Sequence, residues 1–163
     1  MNRHNRSRRS FLTATVAVGS VALAGCLATS TGPSESAAFA TAVTYYDPNC
    51  GCCAEHAAYL ETADTDVERV REDADTLTER KEALGIPPEY RSCHTTIVED
   101  EYVIEGHVPV SIINEVVDRQ PDADVIALPG MPSGSPGMPG SKDGEWVFYA
   151  ISEDGDVDEF TRK

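Results

Sequence analysis

The chain has 163 residues, with 28 acidic against 13 basic side chains and a formal charge of −15. That length suits one small domain plus leader segments, and a hydrophobic content of 40% is enough for a modest core. So negative a surface repels nucleic acid and anionic lipid, and no basic patch offsets it. Four of the arginines (Arg3, Arg6, Arg8 and Arg9) fall in the first 25 residues, where there is no acid, and only three lysines follow: Lys81, Lys142 and Lys163. An acid-rich, lysine-poor surface suits a protein kept soluble in high salt, a halophilic character. The competing reading is an acidic partner-binding face.

Residues 1–25 have the layout of an export signal. A basic stretch leads into Ser7-Arg8-Arg9-Ser10-Phe11-Leu12, and a weakly apolar run follows from Thr13 to Ala24. That run falls short of the about 20 apolar residues a spanning helix needs. Arg8 and Arg9 before Phe11-Leu12 resemble a twin-arginine signal, whose pathway exports folded proteins. Leu23-Ala24-Gly25-Cys26 resembles a lipobox, which would make Cys26 the lipid-modified first residue of the mature chain. The plainer readings are an uncleaved anchor or a simple secretory signal. A single acyl chain binds membranes only marginally, so firm anchoring requires several on Cys26. Residues 26–40, with Thr29-Ser30-Thr31-Gly32-Pro33-Ser34-Glu35-Ser36, are small and polar and read as a flexible tether. The domain is expected over 41–163.

Ala42 to Tyr46 is β-branched and aromatic and predicts a strand, broken by Asp47-Pro48-Asn49. From Cys52 the pattern turns helical, with Cys53, Ala57 and Leu60 on one inner face. Residues 66–70 alternate as a second, edge-like strand. Asp75 to Leu84 predicts a helix with Leu77 and Leu84 inward and Asp75 or Thr76 as cap, stopped by Gly85 and Pro87-Pro88. Thr95–Val98 and Tyr102–Ile104 predict two short strands joined across Glu99-Asp100-Glu101. Ile112, Ile113, Val116 and Val117 mark an amphipathic helix ending near Gln120. The Gly/Pro/Met run from Pro129 to Gly140 cannot be regular structure. Glu145–Ser152 and Val157–Thr161 flank Glu153-Asp154-Gly155-Asp156 as a hairpin; that turn lacks the spacing of a calcium loop. The order β-α-β-α-β-β-α, then loop and hairpin, predicts an α/β sandwich without internal repeats.

The chemistry concentrates in Cys50-Gly51-Cys52-Cys53, with Cys93 forty positions on beside His94. Cys50 and Cys53 form a Cys-x-x-Cys between a strand and a helix, where thioredoxin-like proteins keep a redox pair. Helix N–H groups and the positive end of the helix dipole lower a thiol's pKa there. In that fold the loop before the third strand packs on the pair, which would bring Cys93 and His94 to Cys50, Cys52 and Cys53. An exchange enzyme needs two cysteines and this domain offers four. Four converging thiolates suit a soft cation: copper(I) is favoured and zinc is the other candidate. Two structural disulfides are the plain alternative in an oxidising compartment, although vicinal Cys52 and Cys53 do not readily bridge each other. Cys53 is expected to be the most buried thiol.

His94 is an additional candidate ligand, a group tuning thiolate charge, or a loop residue bonded to backbone. His56 shares a helical face with Cys52 and Cys53 but reads as a partly exposed helix residue. His107, between Gly106 and Pro109, reads as a backbone-bonding turn residue. Met131 and Met138 either plug apolar surface or form a thioether lid that guides copper(I) to the thiolates. Trp146, Phe148 and Tyr149 read as core.

Several segments carry a specific resemblance: Tyr45-x-x-Pro48 before Cys50-Gly51-Cys52-Cys53, Leu84-Gly85-Ile86-Pro87-Pro88, Ser92-Cys93-His94-Thr95, Tyr102-Val103-Ile104-Glu105-Gly106-His107-Val108-Pro109, and Pro129-Gly130-Met131-Pro132 running on to Ser135-Pro136-Gly137-Met138. In this order, across about residues 42–163, they resemble the CopG-type family of exported bacterial and archaeal metal-binding proteins. The resemblance implies a thioredoxin-like fold, copper bound by cysteine, and a role in copper resistance extending to redox cycling of copper. It places Cys50, Cys52, Cys53 and Cys93 in the metal site. The implied partners are copper ions, the membrane through lipidated Cys26, and a copper donor or acceptor protein. The leading expectation is therefore a copper-binding protein on the outer face of the cell membrane. The competing functions are a thiol-disulfide oxidoreductase, with Cys50 as nucleophile and Cys53 as resolving thiol, and a structural lipoprotein with two disulfides.

Overall fold

A computed structural model describes residues 36–163. The expected export signal with Arg8 and Arg9, the lipidation site Cys26 and most of the tether lie outside the described residues. No described helix is long and apolar enough to cross a membrane.

Strand β1 (Thr41–Tyr46) leads into helix α1 (Gly51–Glu61), and β2 (Asp66–Arg71) returns parallel to β1. Helix α2 (Ala74–Ala83) and a single 3-10 turn (Pro88–Tyr90) then carry the chain to β3 (His94–Val98), which pairs antiparallel with β1. A tight turn with Glu99 and Asp100 at positive φ joins β3 to antiparallel β4 (Tyr102–Glu105). Helix α3 (Val110–Arg119) crosses over to β5 (Val125–Ala127), parallel to β4. The hairpin β6 (Val147–Ile151) and β7 (Val157–Arg162) completes one seven-stranded sheet of order β2-β1-β3-β4-β5-β6-β7.

Helices cover both faces. Leu60 of α1 and Ile112, Ile113 and Val116 of α3 pack with Val98, Ile104, Ile126 and Phe148 on one side. Ile86, Val103, Val125, Ala127 and Ile151 form a second core on the other. The two sides follow from strand alternation: Ile104 and Val103 are neighbours that point oppositely.

Three features differ from the sequence expectation. β5 was not anticipated, because three apolar residues between Asp124 and Leu128-Pro129 are too few for a periodic signal. Its parallel pairing with β4 and antiparallel pairing with β6 attach the hairpin to the main sheet. The α2 cap is Asp73 instead of Asp75 or Thr76: its carboxylate accepts from Thr76 N at 2.8 Å, the reach of an N-cap to the third helical residue. Residues 36–40, read as tether, pack on the domain. Phe39 is buried, Ala37 N donates to Ala63 O, and Asn114 Nδ2 donates to Ser36 O. One aromatic in a run of small residues is enough to bring that run onto the core.

Candidate metal centre

The turn between β1 and α1 sets the first three sulfurs. Asn49 N donates to Asp47 Oδ1 at 2.7 Å and Cys50 N to Asp47 O at 2.9 Å, so the chain reverses sharply and Cys50 becomes the helix N-cap. No side chain caps this end and no acid sits in the first turn. The first-turn N–H groups and the positive end of the helix dipole therefore face the sulfurs.

Cys50 and Cys53, one helical turn apart, are joined by a disulfide; Cys52 and Cys93 are free. Cys52 Sγ lies 3.5 Å from Cys50 Sγ and 3.9 Å from Cys93 Sγ, and Cys53 Sγ lies 3.5 Å from the Cys93 carbonyl oxygen. All four sulfurs fall within 4.8 Å of one another. The β1–β3 register explains this. Tyr46 pairs with His94, so the residue before His94 arrives beside the β1–α1 turn. Cys53 is wholly buried, as expected for the inner face of α1, and the other three thiol positions are half-buried.

The same register brings in imidazole nitrogens. Thr95 pairs with Glu105 in the β3–β4 ladder, and Gly106 N donates to His94 O at 3.1 Å. Continuing outward, Cys93 falls opposite His107. His107 Nε2 lies 3.0 Å from Cys93 Sγ and His94 Nδ1 lies 3.4 Å from it. His56 from α1 completes a three-imidazole cluster, its Nδ1 at 2.9 Å from His94 Nε2. All three rings are buried. His56 is thus in the interior, contrary to the sequence reading. The Cys52/Cys53 face of α1 points at the sheet, where a solvated imidazole would have no room. His107 does bond backbone, its Nδ1–H donating to Pro136 O at 2.7 Å. That bond leaves Nε2 without a proton and turned to Cys93, a role not visible from the Gly/Pro context alone.

Burial keeps these groups neutral. Desolvation lowers His56 to about 3 against a weaker opposing pull from the Val108 carbonyl bond, and pushes His94 well below the ordinary histidine range. His107 is lowered for the same reason. Burial, and then neighbouring Cys52, push the Cys93 thiol up to about 12. Burial thus favours the protonated Cys93 thiol in the metal-free protein, with its sulfur 3.0 Å from His107 Nε2.

The opposite face of β3 carries a second polar group, absent from the sequence reading. Lys81 of α2 is buried and ion-paired with buried Glu105; it also donates to Thr95 Oγ1 at 3.1 Å. Glu105 accepts in addition from Thr95 Oγ1 at 2.6 Å and from Ser92 N, which ties it to the loop bearing Cys93. A lysine at a helical inward position facing a strand acid was the available signal.

Two clefts reach the sulfurs. One, of about 650 Å³, is lined by Cys52, Glu55, Tyr59, Pro136, Gly137 and Met138. The other, of about 460 Å³, has Asp47, Cys50, Leu77, Lys81, Arg91 and Cys93 in its walls. Of the two loop methionines, Met138 borders the cleft beside Cys52, while Met131 is 41% exposed. The loop closes on α1 through Gly137, where a Cβ would come 2.6 Å from His56 N and 2.7 Å from Cys52 O. Phe148 is fully buried, and Trp146 packs against the same core.

The donor set is soft: four sulfurs and two ring nitrogens, in two overlapping groups that share Cys93. It can coordinate a metal ion.

The family described as "Protein of unknown function, DUF411" matches residues 90–138, the stretch from the 3-10 turn to Met138. Among curated proteins no match reaches significance. The solved structure "Copper resistance protein copG- Form 2" is 32% identical at a TM-score of 0.69, over 77% of this chain and 98% of that one. "Copper resistance protein copG- Form 1" is likewise 32% identical, at a TM-score of 0.68, over 76% and 97%. With a thioredoxin-like sheet, a Cys/His centre at its helix terminus and similarity over almost the full length of those structures, the chain belongs to the CopG-type copper-resistance family.

Proposed function

We propose that this protein binds copper outside the cytoplasm, holding copper(I) with Cys50, Cys52, Cys53 and Cys93 and protecting the cell envelope from it. The observation that carries the reading is the convergence of four Sγ atoms within 4.8 Å, with His94 Nδ1 and His107 Nε2 aimed at the same Cys93 sulfur. Thiolates with imidazole in a low-dielectric site favour copper(I) over harder ions; zinc is the other ion such a set accepts. The relatives titled as copper-resistance proteins support the choice of copper. The disulfide between Cys50 and Cys53 makes donor number depend on redox state: two thiols when it is closed, four once two electrons open it. Arg8, Arg9 and Cys26 would deliver the domain through twin-arginine export to a lipid anchor on the outer membrane face, with residues 1–25 as signal and the following segment as tether. A copper donor or acceptor protein would exchange the ion.

The test is anaerobic copper(I) titration of the reduced mature domain, with copper and thiol counted on the same sample. Binding that survives replacement of Cys50, Cys52, Cys53 and Cys93 by Ser would overturn the reading.

A second reading, a thiol-disulfide oxidoreductase, is favoured by the closed Cys50–Cys53 bridge itself. Cys53 is wholly buried and Cys50 is accessible, so an incoming thiolate would attack Cys50 Sγ and release Cys53 as the leaving thiolate. Insulin reduction that needs Cys50 and Cys53 but is indifferent to Cys93→Ser would support this reading over copper storage.

A further inference from the structure

We propose that His56, which bonds to His94 instead of to Cys93, is a positioning residue of the centre: it fixes the tautomer of His94 so that the Nδ1 lone pair faces Cys93. This rests on the copper reading for its purpose, but its structural content stands apart from it.

The argument starts at a carbonyl. His56 Nε2 lies 3.0 Å from Val108 O, and a carbonyl oxygen can only accept, so that nitrogen carries the proton. Neutral imidazole has one N–H, and a ring as fully buried as that of His56 is held neutral, because burial disfavours the charged form. His56 Nδ1 is therefore a bare acceptor. The group facing it at 2.9 Å is His94 Nε2, which must then be the N–H. His94 is equally buried and neutral, so with Nε2 as its N–H the remaining nitrogen, Nδ1, has no proton, and it lies 3.4 Å from Cys93 Sγ. One backbone oxygen thus decides, across two rings, which atom of His94 is offered to the metal. The arrangement at His107 is the one-step version, with Pro136 O in place of the Val108–His56 pair. A metal-binding imidazole needs its other nitrogen held by an acceptor for the same reason. The opposite tautomer of His94 would put two N–H groups or two lone pairs against each other somewhere along the chain. Both ring-orienting carbonyls come from segments that close over the cluster: Val108 just before α3, and Pro136 in the Gly/Pro/Met loop.

Two-bond 1H–15N correlation spectra of the reduced, metal-free domain at pH 7.5 read the tautomers directly. We expect His56 and His94 as Nε2–H and His107 as Nδ1–H. His94 found as Nδ1–H in the wild-type protein overturns the proposal without any variant. The variants add the causal step. In His56→Gln the side-chain oxygen can accept from His94 while the NH2 donates to Val108, so His94 stays Nε2–H. In His56→Leu the acceptor is gone, His94 becomes a tautomer mixture, and copper(I) affinity falls about 10- to 100-fold, recovered in His56→Gln. A leucine variant that keeps His94 wholly Nε2–H would mean that His56 only fills space. Should that variant not fold, the wild-type and glutamine spectra decide. Copper binding that survives replacement of Cys50, Cys52, Cys53 and Cys93 by Ser would overturn the copper reading, whereas the wild-type metal-free tautomers test the role of His56 independently of it.

Discussion

His107 Nε2 stands 3.0 Å from Cys93 Sγ because the two residues lie equally far from the β3–β4 turn. The hairpin converts two distant sequence positions into a thiol–imidazole pair, and the pair joins the four-sulfur group to the histidine group. Replacing His107 with Leu removes the imidazole but keeps a buried side chain of similar volume, so the fold should survive. Copper(I) affinity should drop at least about tenfold, or about 1.4 kcal/mol. Competition with a chromogenic copper(I) chelator measures this, and wild-type affinity would exclude His107 from the donor set.

Acid should unfold the metal-free domain steeply. The folded pKa values of His56, His94 and His107 all lie below their unfolded value, so the unfolded chain binds more protons once pH drops under about 6.5. Their contribution is complete above that pH and is lost as pH falls; the share of His56 continues to fall down to about 3. Each histidine removes roughly 1.4 kcal/mol per pH unit within its window. Urea unfolding at pH 7, 6 and 5 should show stability falling with the slope of two to three protons taken up. A flat profile would contradict the burial of these rings.

The Lys81–Glu105 pair should respond asymmetrically to substitution. Lys81→Met alone leaves a buried carboxylate facing Thr95 and Ser92 N without its cation, at a cost of about 3–5 kcal/mol. Combining it with Glu105→Gln keeps an acceptor for Ser92 N, removes the charge, and should recover most of that loss. Denaturant midpoints of the two singles and the double give the coupling; strict additivity would show that the pair is not a unit.

Gly106 and Gly137 are held by crowding as well as by positive φ. A Cβ on Gly106 would sit 2.6 Å from Leu128 O and 2.9 Å from Ser92 Cβ, and one on Gly137 would meet the α1 backbone. Gly155 has similar φ, with open space around it. Gly155→Ala should therefore cost only about 1 kcal/mol, the φ penalty alone, whereas Gly106→Ala and Gly137→Ala should cost more. Gly137→Ala should also lift Pro136 O from His107 and blur the His107 tautomer. Equal thermal shifts for all three variants would sink the crowding argument.

Much of this was legible from local pattern. The strand before Cys50, the inner face Cys53–Ala57–Leu60 and the amphipathic α3 each announce themselves by period, and the strand–turn–helix placement of Cys50 and Cys53 follows. The approach of Cys93 followed from fold resemblance. His56 and His107 were underread because their roles come from pairing, not from neighbours in sequence. His107 required the β3–β4 register, and its tautomer required a loop 29 residues further on. Lys81–Glu105 required knowing that α2 covers the opposite face of β3. β5 required the hairpin that extends the sheet beyond it.

The burial of every described histidine has a consequence for how the molecule meets the ions around it. Its soft donors lie inside or at the mouths of the two clefts, with the Met131 thioether outside, while the exterior is dominated by carboxylate oxygen. Sodium, magnesium and calcium prefer oxygen and would be held by the outer surface. A thiophilic ion finds little purchase there and is retained only once it reaches the sulfurs. The molecule is sorted by chemical hardness from skin to centre, so hard ions held by its carboxylates do not compete for the sulfurs and imidazoles that a soft ion would take.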